Sequence, residues 1–132
     1  MGRTTWIIIL TLVELRSADF FPMTDKIVVF STCADEQEAG KLARALVEER
    51  LAACVSVIPG LRSYYHWKGA VENSAECLLM IKSSRERFAA LRAAIGRLHS
   101  YEVPEVVAVP IVDGAPSYLD WMETSIGRIG NE

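Results

Sequence analysis

The chain has 132 residues, of which 51% are hydrophobic and 23% are charged, with a formal net charge of −3. This composition excludes a disordered tail, a collagen-like chain and a low-complexity chain. Because the charge balance is slightly acidic, it indicates neither a nucleic-acid-binding surface nor a surface for anionic membranes. The mean hydropathy of +0.20 is high for a small soluble monomer.

Residues 1–23 differ from the rest of the chain. Their apolar run, Trp6–Val13, is much shorter than the roughly 20 residues that span a bilayer. Glu14 and Arg16 follow the run, which is atypical of a cleaved signal peptide. We interpret 1–23 as a non-essential or mobile N-terminal extension, with a targeting segment or an interaction arm as alternatives. Residues 24–132 are predicted to form a single domain.

The first half of this domain reads as strand, helix and hairpin. The predicted elements are a strand at Lys26–Cys33, a helix opened by the capping box Asp35–Glu38, a strand at about 53–68 and, after a turn at Lys68-Gly69, a strand at about 71–82.

The second half repeats the pattern. Ser83 and Glu86 predict a second capping box, and a second helix buries Phe88, Leu91, Ile95 and Leu98. A fourth strand is predicted at Glu105–Val112, where Pro110 favours a sheet edge or a bulge, and Ser117 opens a C-terminal helix. The order predicts an α+β, ferredoxin-like βαββαβ sandwich with four antiparallel strands and both helices on one face.

The hairpin is too long for its own domain. A strand over 53–68 reaches roughly 50 Å, whereas the preceding helix covers only about 25 Å. The overhanging part carries aromatic side chains, namely Tyr64, Tyr65 and Trp67. An exposed aromatic ribbon needs a partner, so we predict an obligate homo-oligomer with these residues at the interface. A break at Pro59-Gly60 is expected to bend the ribbon toward its neighbour.

Polar residues are predicted to meet at one end of the sheet. Lys82 ends an apolar strand and Glu105 begins the neighbouring one, so the two are expected to pair near His99 and Tyr101. This set predicts either a structural ion pair or a ligand pocket at a subunit junction, with Lys82 binding an anion and Glu105 a metal or a proton.

Five separated segments resemble the CutA divalent-cation-tolerance family. They are LAACVSVIPG at 51–60, YYHWKG at 64–69, MIKS at 80–83, HSYEVPE at 99–105 and YLDWM at 118–122. The resemblance covers about residues 26–127. It implies a ferredoxin-like fold, a tight homotrimer held by long β-hairpins, and a role in the response to copper and other divalent metal ions.

The metal ligands proposed for some members carry over only in part. The resemblance places Ser31 where those members have a cysteine, and Leu98 where they have the first of two histidines. The second histidine is His99. Cys33 lies two residues beyond Ser31, on the same face of the strand. We therefore predict a looser copper or zinc site formed by Cys33, His99 and Glu105, with Ser31, Lys82 and Tyr101 lining the adjacent pocket.

Simpler interpretations remain for the same residues. His99 also suits a helix end, and Cys33 suits a half-buried strand end. The other cysteines, Cys54 and Cys77, are predicted to be inert core thiols, and the odd count without a CxxC spacing indicates reduced thiols in a cytoplasmic protein.

The predicted function is copper binding and metal tolerance by a non-catalytic cytoplasmic homotrimer, with no obligatory cofactor. One alternative is a signalling trimer resembling the PII family, which binds an anionic metabolite or a partner protein at intersubunit clefts. Another is an enzyme that uses Lys82, Glu105 and His99, although no standard nucleophile–base or phosphate-binding motif is present.

Overall fold

The structure is a computed structural model that describes residues 24–127, so the extension predicted at 1–23 lies outside the described part. The elements are β1 (Lys26–Cys33), α1 (Glu36–Glu48), β2 (Cys54–Trp67), β3 (Ala70–Ser84), α2 (Phe88–Leu98), β4 (Val107–Pro110) and α3 (Pro116–Ile126). A single 3₁₀ turn, Arg85–Arg87, precedes α2.

The strands form one sheet in the order β2-β3-β1-β4, and every neighbouring pair is antiparallel. β1 lies in the centre, where Val29 is opposite Ile81 of β3 and Ala108 of β4. The predicted α+β, ferredoxin-like fold is confirmed.

The core lies between the helices and one face of the sheet. The strands contribute alternate residues to it, because side chains alternate across a strand. Its members from the strands include Ile27, Val29, Cys33, Cys77, Leu79 and Ile81, and those from the helices are Ala39, Leu42, Leu46, Leu91, Ala94 and Ile95. Both long helices therefore pack on the same face, as predicted.

The first predicted capping box is confirmed and the second is wrong. The Asp35 carboxylate accepts a hydrogen bond from the Glu38 N–H at 2.8 Å and so caps α1. Ser83 remains in β3, where its hydroxyl donates to the Leu51 carbonyl at 2.6 Å. Because that hydroxyl is already used, it caps no helix, and α2 begins only after the 3₁₀ turn.

The fourth strand is shorter than the predicted Glu105–Val112. β4 pairs with β1 only from Val107, opposite Phe30, to Pro110, opposite Ile27. Pro110 ends an edge strand, as expected for a residue without an N–H donor. The next residue, Ile111, donates its N–H to the Lys26 carbonyl at 2.9 Å and ends the pairing.

The hairpin extends well beyond the sheet. β1 pairs with β3 only as far as Cys77, so residues 61–76, which we call the arm, are paired only with each other. At its tip, Lys68 (φ 50°) and Gly69 (φ 82°) both adopt the left-handed conformation that a type I′ hairpin turn requires. At its root, the register shifts between Ile58 and Leu61, which places a bulge at the predicted break. The predicted overhang is confirmed.

The C-terminal helix α3 packs at the other end of the sheet. Met122 and Ile126 form a small apolar cluster with Ala53. Lys26, only 3% exposed, binds Asp25 at 2.6 Å and also Glu123 of α3. A buried ammonium is costly unless it is paired, so this contact fixes the helix against the start of β1. Within 24–127, no helix has the length and hydrophobicity needed to cross a bilayer.

The sheet face opposite α1 and α2 is also largely apolar, and we call it the open face. Its residues lie opposite one another across the strands and remain half-buried or exposed in the single chain: Val28, Phe30, Ile58, Leu78, Met80, Val107 and Val109. An exposed apolar patch of this size is typical of an interaction surface.

Candidate functional site

The polar site is centred on His99, the residue directly after α2. Its side chain has an exposed fraction of 0%. Nε2 lies 2.7 Å from the Thr32 carbonyl oxygen, and the Tyr101 N–H donates to Nδ1 at 3.0 Å. Because a carbonyl only accepts and an N–H only donates, these partners assign a neutral ring with its proton on Nε2.

Glu38 of α1 lies beside this ring. Its Oε2 is 3.6 Å from His99 Nδ1 and accepts the Ser100 N–H at 2.7 Å, while its Oε1 accepts the Ser100 hydroxyl at 3.0 Å. Burial opposes the ionised form, but these hydrogen bonds outweigh it and lower the pKa of Glu38. The ionised carboxylate therefore stabilises the fold at neutral pH, and this contribution is lost as the pH falls through the lowered pKa.

Tyr101 joins the site to the arm. Its ring centroid is 4.7 Å from that of His99, and its hydroxyl donates to Glu76 Oε2 at 2.8 Å. Burial, followed by the bond to the Glu76 carboxylate, raises the pKa of Tyr101. Glu76 is the last residue of the arm, so the loop after α2 is bonded to the arm's root. We call Glu38, Glu76, His99, Ser100 and Tyr101 the His99 cluster.

Cys33, a predicted metal ligand, is a protonated core thiol. It is fully buried, and its Sγ lies 3.5 Å from the Asp35 carbonyl oxygen. Burial and, after it, the charge of Glu38 raise the pKa of Cys33 to about 11. The positive end of α1 does not produce a thiolate at Cys33, because desolvation dominates.

The three predicted ligands do not form a metal-binding group. Within residues 24–127, no group of three or more His, Cys, Asp and Glu side chains is arranged to hold a metal ion. Glu105 is exposed and lies before β4 begins. Ser31, predicted to line the pocket, is fully buried on the helix side opposite Leu79, and its hydroxyl has no hydrogen-bond partner.

Lys82 lies elsewhere. It is on the open face opposite Val28, and its Nζ donates to the Ser56 hydroxyl at 2.9 Å and the Met80 carbonyl at 3.4 Å. Thr32, whose carbonyl His99 contacts, lies four residues along β1 from Val28, which is a distance of about 13 Å. The predicted pair with Glu105 is therefore wrong, and Lys82 does not converge with the His99 cluster.

Two members of the cluster, Glu38 and Glu76, escaped prediction as site residues. Glu38 was assigned only to a capping box, although a glutamate at that position also faces the chain that follows α2. The position of Glu76 near the site follows only from the β1–β3 register, in which Glu76 lies one residue beyond the Cys33–Cys77 pair.

The predicted interface residues project into solvent from the single chain. The exposed fractions are 69% for Tyr64, 43% for Tyr65 and 59% for Trp67. Tyr65 and Trp67 lie on the side of the arm that continues the open face, whereas Tyr64 lies on the other side.

Together these features define a ferredoxin-like protein with a projecting hairpin arm and a buried histidine–carboxylate cluster at the arm's root. The family model that matches, over residues 27–125, is described as "CutA1 divalent ion tolerance protein". The chain belongs to this family.

Relatives agree across the same region. The chain is 47% identical over 100 residues to the "Divalent-cation tolerance protein CutA" of Thermus thermophilus, a match that covers 76% of this chain and 97% of that protein. It is 44% identical over 102 residues to "Protein CutA" of Mus musculus, covering 77% of this chain and 58% of that protein. The crystal structure of CutA from Xylella fastidiosa superposes with a TM-score of 0.78 at 41% identity, covering 79% of this chain and 100% of that one.

Proposed function

We propose that this protein acts in tolerance to divalent cations, as a cytoplasmic homotrimer that binds copper and catalyses no reaction. The matched family model and the Thermus thermophilus relative both carry divalent ion or cation tolerance in their descriptions.

Two adjoining apolar surfaces, the open face and the arm, support assembly. The open face and the arm together present aliphatic and aromatic side chains that the single chain leaves unpacked, including Phe30, Met80, Tyr64 and Trp67. A two-stranded ribbon is marginal in water by itself, so the arm gains stability from packing on a neighbouring copy. In a trimer each arm reaches across to the next subunit.

The copper site is proposed at His99 Nδ1. Histidines that bind metals usually donate their other ring N–H to a carbonyl or carboxylate, which fixes the tautomer and directs the lone pair. The Nε2–H bond to the Thr32 carbonyl is such a contact. This observation carries the proposal. His99 Nδ1 would hold the copper in place of the Tyr101 N–H that it now accepts, and Glu38, 3.6 Å away, would supply the nearby carboxylate.

A titration of Cu²⁺ against wild-type protein and His99→Gln tests this site. The glutamine amide keeps a donor for the Thr32 carbonyl but has no imidazole lone pair. We expect wild type to bind one Cu²⁺ per chain and His99→Gln to bind at least about tenfold more weakly, measured by calorimetry in a competing buffer.

The matched control is His66→Gln, which removes the other histidine of the chain, an exposed residue of the arm. It is expected to bind Cu²⁺ like wild type. If His99→Gln and His66→Gln bind equally well, or if wild type binds no Cu²⁺, the His99 site is refuted.

A second candidate function rests on Lys82. Its described contacts are a hydroxyl and a carbonyl, and no carboxylate of residues 24–127 is within ion-pairing distance. A half-buried ammonium without a counter-ion suits an anionic ligand at a cleft between subunits. We therefore propose as the alternative a signalling trimer that binds an anionic metabolite.

The alternative predicts stabilisation by an anion, because a ligand that binds only the folded state raises Tm. Nucleotides and small carboxylates are screened by thermal shift on wild type and on Lys82→Met. We expect a shift of several degrees with wild type that Lys82→Met abolishes. Equal shifts for both proteins would contradict a role for Lys82.

A further inference from the structure

A groove runs along the solvent side of α1 and continues to α3, and we call it the α1 groove. It consists of two adjoining hollows of about 380 and 420 Å³, which share Val47 and Glu48. Volumes of this size are typical of sites that bury a small ligand or several side chains. Small residues of α1 and an aromatic residue of α3 line it: Gly40, Ala43, Val47 and Trp121.

The described residues leave the apolar side chains of this groove uncovered. The exposed fractions are 42% for Val47 and 47% for Trp121, and both lie outside the two core clusters. The Tyr118 ring lies beside Trp121, with 5.5 Å between the ring centroids. Beyond the α1 backbone, no atom lies within 4 Å of the place where a Cβ on Gly40 would be, so another segment can approach α1 closely there. Such a surface is typical of one that binds a further segment of protein.

The described part of the chain begins close to this groove. It starts at Thr24, two residues before Lys26, and Lys26 binds Glu123 of α3. Glu123 is two residues from Trp121 on the same helix. Residues 14–23 can span about 33 Å, which is about twice the 16 Å or so of α3. The residues before 14 can therefore reach the groove from the start of β1.

The N-terminal extension carries a segment that suits the groove. Seven of the eight residues of Trp6–Val13 are large and apolar, and Glu14 follows them directly. At the α3 end of the groove, the Arg50 guanidinium donates to the Ser125 carbonyl at 3.0 Å. This contact leaves the charge of Arg50 without a carboxylate partner among residues 24–127. A segment that enters the groove from α3 brings Glu14 to this end first.

We propose that Trp6–Val13 binds in the α1 groove of its own chain, with Glu14 beside Arg50 and the earlier residues of the run toward Gly40. The apolar run and the exposed side chains of the groove then cover each other. The proposal goes beyond the proposed function, because it involves neither the His99 cluster nor the open face. It also gives the extension a defined role as a segment that closes part of the subunit surface.

Cysteine crosslinking in the full chain tests the contact. In a Cys54→Ser background the remaining native thiols are buried. Leu10→Cys is combined either with Glu48→Cys in the groove or, as the matched control, with Ala90→Cys at an exposed position of α2. A short bismaleimide is expected to link the first pair within one chain at least about tenfold faster, because docking raises the local concentration. Equal rates would refute the proposal, and links formed only between chains would assign the groove to a second copy instead.

Thermal unfolding at one protomer concentration gives an independent measurement. A chain that begins at Met23 is expected to melt several degrees below the full chain, because the groove loses a segment that binds only the folded state. In a Trp121→Ala background the same truncation is expected to lower Tm by less than about half as much, since the two changes share one contact. Val103→Ala, at an 86% exposed position outside the groove, is the control and is expected to keep the full shift.

Two results of this comparison contradict docking in the groove. One is a Tm that truncation leaves unchanged, and the other is an equal shift with and without Trp121→Ala. If Trp121→Ala does not fold, the crosslinking rates decide, because both of their cysteine pairs replace exposed residues of the described chain. A failure of either measurement leaves the proposed copper site untouched, since His99 and Glu38 lie outside the groove.

Discussion

Replacing Trp67 with alanine is expected to make the proposed trimer dissociate at a protomer concentration at least about 30-fold higher than wild type does. Trp67 is 59% exposed in the single chain and lies near the tip of the arm. A buried interfacial tryptophan commonly contributes 2 kcal/mol or more to association, and about 2 kcal/mol corresponds to about 30-fold in Kd. Light scattering over a dilution series measures the shift directly.

The fold of the subunit is expected to survive this change, because Trp67 is outside both clusters of buried core residues. Far-UV circular dichroism at high protein concentration should match wild type. Val47→Ala is the control, since Val47 is a comparably exposed apolar residue on the helix layer, away from the arm. A wild-type monomer at micromolar concentration would refute the trimer, and equal behaviour of Trp67→Ala and Val47→Ala would remove the arm from the interface.

Replacing His99 with alanine is expected to lower the free energy of unfolding by about 2–4 kcal/mol. The change deprives two groups, the Thr32 carbonyl and the Tyr101 N–H, of their partners. Each group that stays unsatisfied in a buried position costs about 1–3 kcal/mol. Denaturant titrations must be compared at one protomer concentration, because assembly adds to the apparent stability.

The neighbouring Leu98→Ala is a demanding control, since it removes more apolar volume at the same helix end from a side chain that is 44% exposed. We expect it to cost less than about 1 kcal/mol. His99→Gln should recover part of the loss, because its amide can donate to the Thr32 carbonyl. A loss in His99→Ala no larger than that in Leu98→Ala would show that the two hydrogen bonds contribute little.

Most of the fold could be predicted because its signals are local. A run of β-branched residues predicts the bounds of β1 correctly. The Asp35–Glu38 spacing predicts the N-cap of α1 correctly. The predictions fail where a contact between residues distant in sequence determines the local structure. The spacing of Ser83 and Glu86 has the form of a capping box, but the Ser83 hydroxyl bonds to the distant Leu51 carbonyl and the strand continues to Ser84.

The candidate site was predicted less well than the fold. His99 and Tyr101 do lie in one cluster, but their partners, Glu38 and Glu76, come from α1 and the root of the arm. Sequence position cannot show which carboxylate a buried ring will meet. Lys82 was misplaced because the end of an apolar pattern does not reveal which face of the sheet the last residue occupies.

The bulge at the root of the arm also separates two properties of the ribbon, its bend and the side on which its rings lie. Between Ile58 and Leu61, β2 advances three residues while β3 moves only two, from Leu78 to Glu76. This extra residue inverts the alternation of β2, so Tyr65 and Trp67 share a side with Ile58. Deleting Pro59 or Gly60 alone would remove the extra residue and restore regular alternation, which leaves both rings on the side of Ile58. The extra residue is therefore needed for the bend at the root of the arm and not for the side on which the two rings lie.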